Sequence, residues 1–203
     1  MTTSAISLNP NITTNATGTF SATTYGMVQG IAMDDPNIRN SLAGGVLAST
    51  ETLPMWGGVV IGEYLNLADE ANGLGNNIER AANQAGATGM TVYNQLNNAI
   101  TTPQSNAPAV PSGGTVNFYR FGSHARIAVQ CDPALVSLNT GLINQQVSWD
   151  YVNQKLIAYN ATPGAFPCKI LNVIATGCMI VQYNSGTGFV TWNFNGACAL
   201  IEI

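Results

Sequence analysis

Charge is what this chain has least of. Of its 203 residues six are Lys or Arg and ten are Asp or Glu, 8 % in all, against roughly 25 % in ordinary soluble domains. So few cations cannot build a patch that neutralises a row of phosphates, so nucleic acid is excluded as a partner and an anionic membrane surface is disfavoured. One histidine and four cysteines without C-x-x-C spacing leave no metal-ligand set. The phosphate-binding Walker loop, the dinucleotide fingerprint, H-E-x-x-H and G-x-S-x-G are all missing, so neither a cofactor nor a metal is expected. No apolar window is long enough to cross a bilayer. The opening MTTSAISLNP has neither the basic start nor the apolar run of a signal peptide, which points to synthesis and folding in a cytosol. There Cys131, Cys168, Cys178 and Cys198, each in an apolar run, read as buried free thiols.

What is present is core material and amide. Hydrophobic residues make up 46 % of the chain, and asparagine alone outnumbers the four charged types combined. Amides and hydroxyls cost less to desolvate than ions, which suits a surface largely covered by neighbours. It equally suits a plain neutral surface of the kind many extracellular β proteins carry.

The clearest structural signal is residues 168–203, where three apolar, β-branched runs are separated by turn signals. Val190, Trp192 and Phe194 alternate with Thr191, Asn193 and Asn195, the period of two that buries one face of a strand. The NSGTG between Tyr183 and Phe189 predicts a hairpin, and the final Ala-Leu-Ile-Glu-Ile predicts an end tucked into a sheet. Upstream, TVNFYRF and ARIAVQC read as strands joined through Gly122-Ser123-His124. LINQQVSWDYVNQKLIAY reads as two strands turning near Val152-Asn153, with Trp149 and Tyr151 on one face of the first. Pro133 and Asn139-Thr140-Gly141 bound a short Leu135–Leu138 piece. Turn signals every 8–12 residues or so are the pattern of a sandwich or small barrel.

The first half is less regular. Residues 1–25 are Thr, Asn, Ser and Ala with little to bury, and predict an extended N-terminal arm. Asp34-Asp35-Pro36 reads as a turn, and the paired glycines of SLAGGVLAST argue against a helix. NIERAANQA is helix-tolerant, and Met90, Tyr93, Leu96 and Ile100 recur at steps of three and four. Residues 103–114 are loop-like. These readings give a mainly β fold, an antiparallel sandwich or small barrel, in a single domain over residues 26–203. The arm precedes it, strands from 25–65 complete it, and a loop or short-helix insertion lies at about 66–112, with Asp69, Glu70, Glu79 and Arg80 as solvated helix residues.

Few residues offer chemistry. His124 stands alone with Ser123 beside it, and adjacent side chains diverge rather than pair as nucleophile and base. Asp34, Asp35, Glu63, Asp69 and Glu70 are the carboxylates a glycosidase-like hydrolase would draw on, yet adjacent residues do not face each other across a sugar. Leu53-Pro54-Met55-Trp56, followed by Gly57-Gly58, is different in kind. Such a cluster suits the anchor of a protein interface, and the competing reading has Trp56 plugging one end of the β core. Trp56 or Trp149 could alternatively stack on a sugar.

The run Phe118-Tyr119-Arg120-Phe121-Gly122, then Ala125-Arg126-Ile127-Ala128-Val129, Val147-Ser148-Trp149-Asp150 and a terminal Thr191-Trp192 sheet ending Ala-Leu-Ile-Glu-Ile, on an Asn/Thr-rich and nearly uncharged chain, resembles the capsid decoration (cement) proteins of tailed bacteriophages. The likeness covers mainly residues 115–203 and is one of style and strand pattern. It implies a virion structural protein without enzymatic activity, made in the host cytoplasm and bound to the outside of the head at junctions of the major capsid protein. It also implies a homo-oligomer, dimer or trimer; composition, and not the resemblance, points to residues 1–25 and to Leu53, Pro54, Met55 and Trp56 as its contact regions. The alternative is a tail or fibre component that binds a receptor or carbohydrate.

Overall fold

A computed structural model of the chain describes residues 26–33, 36–64, 76–93, 106–140 and 146–203. The expected arm over residues 1–25, Asp34, Asp35, Asp69, Glu70, Leu96 and Ile100 lie outside these. The fold is mainly β. Five strands close into a barrel in the order β1-β3-β2-β4-β5: β1 (Ala43–Leu47), β2 (Val60–Tyr64), β3 (Asn77–Arg80), β4 (Gly89–Val92) and β5 (Thr115–Arg120). All its pairings are antiparallel except that of β1 with β3. A three-stranded sheet follows, with β6 (Arg126–Gln130), β9 (Lys169–Asn184) and β10 (Phe189–Glu202) in the order β6-β10-β9. The short hairpin of β7 (Val147–Asp150) and β8 (Lys155–Ala158) completes the strands. A single helical turn, α1 (Pro36–Arg39), follows the Asp34-Asp35 position.

Two strand assignments overturn the helical reading over residues 77–80 and 89–92. Asn77–Arg80 pairs with both β1 and β2, and Gly89–Val92 pairs with both β2 and β5, so barrel closure claims both segments. The three-residue step from Met90 to Tyr93 places them on opposite sides of the strand path: Met90 enters the main core and Tyr93 an aromatic cluster. Among the described residues of the insertion only Gln84–Gly86 turns helically, as one 3-10 turn capped by the Asn83 side chain. Leu135–Leu138 belongs to a longer 3-10 stretch, Pro133–Thr140. At its end the Asn139 amide pairs like a strand with β9, donating to Val173 O (2.7 Å) and accepting from Val173 N–H (2.8 Å). That blunts an edge otherwise open to another chain.

Val59-Val60-Ile61 is a continuous apolar run because the barrel wall is buried on both faces, as strands covered on both sides are. Val59 and Ile61 face the barrel core with Leu47, Met55, Ile78, Val116 and Phe118. Val60 faces outward with Met90, Val92 and Tyr119 into the larger core, where Ile127, Val129, Ala199 and Ile201 of the sheet and Val147, Trp149 and Leu156 of the hairpin meet them. Barrel, sheet and hairpin therefore share one interior.

The terminal hairpin forms as the turn residues predict, with Phe189 opposite Asn184. Its two strands are longer than the expected runs because Ala175-Thr176-Gly177 continues β9 through a bulge instead of turning. A register shift between Asn193 and Gly196 inverts the alternation of β10. Val190 and Trp192 pack toward the barrel, but beyond the shift it is Ala197, Ala199 and Ile201 that face the main core. Phe194, expected on the buried face, is 46 % exposed for that reason.

A strap, residues 26–33, ties these parts together by joining both outer edges of the sheet. Gln29 N–H donates to Met179 O and Met179 N–H to Met27 O on β9; Met33 N–H donates to Arg126 O and Ala128 N–H to Ile31 O on β6. Between them the chain passes Gly57 so closely that a Cβ on Gly30, whose φ is +81°, would lie 2.4 Å from Gly57 Cα. Only glycine meets both conditions.

Candidate interaction surface

The segment Glu51–Gly58 connects β1 to β2 and carries the four residues singled out as an interface anchor. Two of them turn inward. Met55 is fully buried in the barrel core, and its backbone exchanges two hydrogen bonds with Val110 (2.8 and 2.7 Å). A side chain so placed cannot touch a partner, which corrects the exposed reading of Met55. Trp56 is half-buried and packs on both the barrel core and a cluster formed by Tyr93 with Val181, Tyr183, Val190 and Trp192 of the hairpin. Its ring stacks on Tyr183 (6.0 Å, 27°), and Tyr93 meets Trp192 edge to face (5.8 Å, 64°). Leu53, 37 % exposed, and the partly exposed Pro54 remain at the surface.

Arg80 fixes this loop. Its Nη1 lies 2.9 Å from Glu51 Oε1, Nη1 and Nη2 donate to the carbonyls of Leu53 (3.2 Å) and Pro54 (2.6 Å), and the guanidinium sits 4.8 Å from the Trp56 ring centroid. Its own backbone N–H donates to Glu51 Oε2 (3.0 Å). Both side chains of the ion pair are only 12 % exposed, which corrects the reading of Arg80 as a solvated helix residue. Burial pulls the guanidinium pKa down and Glu51 opposes that pull; an arginine nonetheless stays charged at any physiological pH. From behind, the Thr91 hydroxyl donates to Trp56 O (2.7 Å) and accepts from Val59 N–H (2.9 Å). The result is a rigid turn whose apolar tip stands free.

The other residues picked from the sequence are not brought together. His124 occupies a left-handed turn (φ 60°), its ring is 78 % exposed, and its Nδ1 lies 3.4 Å from Glu202. Ser123 Oγ accepts from Ala125 N–H instead of approaching the ring (3.4 Å). Trp149 is buried, stacked on Phe166 and donating to Gln154 (3.1 Å), so it cannot stack on a sugar. Among the described residues no group of three or more His, Cys, Asp and Glu is arranged to hold a metal ion. The cysteines are free thiols, three of them buried and Cys168 partly so. No protein-family model matches the chain, and no curated protein matches it in sequence.

Glu63 is engaged structurally. Arg120 Nε and Nη2 donate to its two oxygens (2.7 and 2.5 Å), and the Asn76 amide donates to it as well. The hydrogen bond from Arg120 holds the carboxyl below its usual range, against a smaller opposing effect of burial. A depressed native pKa adds stability that is complete above the unfolded value of about 4.3 and is lost as pH falls through the native one. Arg120 is half exposed, so the gain is small, about 0.2–1 kcal/mol. Urea unfolding should therefore show Glu63→Gln less stable than the parent at pH 7, with the gap narrowing as pH falls below about 4.3; a gap that widens in acid would contradict the pairing.

Proposed function

We propose that the chain is a virion structural protein that decorates a phage head, binding outside the shell at junctions of the major capsid protein as a homo-oligomer. The observation that carries this reading is the locked Leu53–Trp56 turn on an almost uncharged surface. A contact loop that is already ordered loses little entropy on docking, and neutral surroundings desolvate cheaply. A protein that binds only the assembled shell stabilises it by mass action. The strand pattern that resembles decoration proteins supports the same reading.

Quantitative mass spectrometry of gradient-purified particles tests it. Hundreds of copies per particle, in fixed ratio to the shell subunit, are expected; a handful of copies, or recovery with isolated tails, overturns it in favour of a receptor- or sugar-binding tail component. Leu53→Asp probes the surface itself. Its side chain belongs to none of the core clusters, so the unfolding midpoint should shift by only a few degrees while occupancy on heads falls by about tenfold or more, as loss of a central apolar anchor does. Unchanged occupancy would remove this loop from the interface.

A further inference from the structure

The bulge in β9 brings two cysteines together. Cys178 stands opposite Gly196 and Cys198 opposite Ile174, so the extra residues of β9 bunch between two contacts and leave Cys178 diagonal to Cys198. Both thiols are fully buried and share a small apolar cluster with Met27, Ile174 and Ile180 on the sheet face turned away from the main core, where the Cys178 thiol points at Ile174 O (4.0 Å). Cys131 belongs to that core, on the opposite face, and Cys168 packs against it. Two of the four free thiols are thus set apart as a pair.

What covers the pair is the first part of the strap. Gly26 lies against Gly177 and Cys178 so tightly that a Cβ there would come within 2.2 Å of Gly177 O. Met27 packs over the thiols, and its neighbours are held to β9 by the Met179 and Gln29 hydrogen bonds.

We propose that Cys178 and Cys198 form a redox site that hydrogen peroxide closes into a cross-strand disulfide, with the strap at residues 26–29 controlling access. The Cys178 sulfur attacks the O–O bond, forming a sulfenic acid and releasing hydroxide, which takes up the thiol proton as water. Cys198 then attacks that sulfur, an S–S bond replaces the S–O bond, and a second water leaves. Two thiols are oxidised as one peroxide is reduced to two waters. Cys178 is the first nucleophile because the Cys198 thiol beside it, together with the Met27 and Cys198 backbone amides, lowers its pKa against the pull of burial, whereas that of Cys198 is raised.

The test uses the full-length protein and peroxide alone. After quenching and unfolding without reductant, titratable thiols should fall from four to two, and non-reducing peptide mapping should link Cys178 to Cys198 with Cys131 and Cys168 still alkylated. In Cys198→Ser, a 1,3-diketone should trap the sulfenic acid on Cys178. Gln29→Met, which loosens the strap, should close the disulfide about tenfold faster. A count that stays at four, a linkage through Cys131 or Cys168, or a rate indifferent to Gln29 overturns the proposal.

Discussion

Gln29→Met is expected to lower the unfolding midpoint by about 5–20 °C, from about 2–5 kcal/mol of lost stability. Gln29 is fully buried, and both ends of its amide are used: Nε2 donates to Gly57 O (3.2 Å), and Oε1 accepts from Val181 N–H (2.9 Å) on the outer edge of β9. Methionine keeps the length of the side chain and makes neither bond. The cost is then that of stranding a buried donor and a buried acceptor, each about 1–3 kcal/mol. Gln29→Glu separates bonding from shape. A neutral carboxyl can both accept from Val181 and donate to Gly57, whereas a carboxylate is buried and faces a carbonyl. Its native pKa must therefore lie above the unfolded value of about 4.3, so the stability of this variant is greatest below that pH and is lost as pH rises through the native pKa. Relative to the parent, Gln29→Glu should be markedly weaker at pH 8 than at pH 4.5. Equal midpoints for parent and Gln29→Met would show that the strap is not a tie between barrel and sheet.

Nothing near Gln29 in the sequence announces this role, since its partners lie 28 and 152 residues away. The same distance separates what could be read from what could not. The β9–β10 hairpin was legible because its turn chemistry and alternation are local, and so was the turn at Val152-Asn153, where Asp150 accepts from both backbone N–H groups (3.0 Å each). Asn77–Arg80 and Gly89–Val92 were not. Each is four residues long, too short for alternation to outweigh helix-tolerant neighbours, and it is barrel closure that makes them strands. Leu53 and Pro54 stand at the surface as composition suggests, whereas Met55 does not. Apolarity identifies a residue that seeks a partner but not whether that partner is its own barrel.

Arg80→Met is the second large effect, about 3–5 kcal/mol, because removing one member of a buried ion pair strands the other. Glu51 would keep the backbone N–H at residue 80 but lose the guanidinium beside it, and the carbonyls of Leu53 and Pro54 would lose their donor. Methionine still lies along Trp56, so packing is largely preserved and the loss reports on charge and hydrogen bonding. Arg80→Lys restores charge without the planar fork that spans a carboxylate and two carbonyls at once, and should fall between parent and Arg80→Met. Adding Glu51→Gln to Arg80→Met should recover part of the deficit, since the stranded carboxylate disappears with its partner. Hydrogen exchange distinguishes a loop effect from a general one: protection should fall first at Met55 N–H and Val110 N–H, which bond to each other's carbonyls beneath the turn (2.8 and 2.7 Å), and only later in β9 and β10. If β9 and β10 lose protection first, or if the double variant is no better than Arg80→Met, the guanidinium is not what holds the Leu53–Trp56 turn in place.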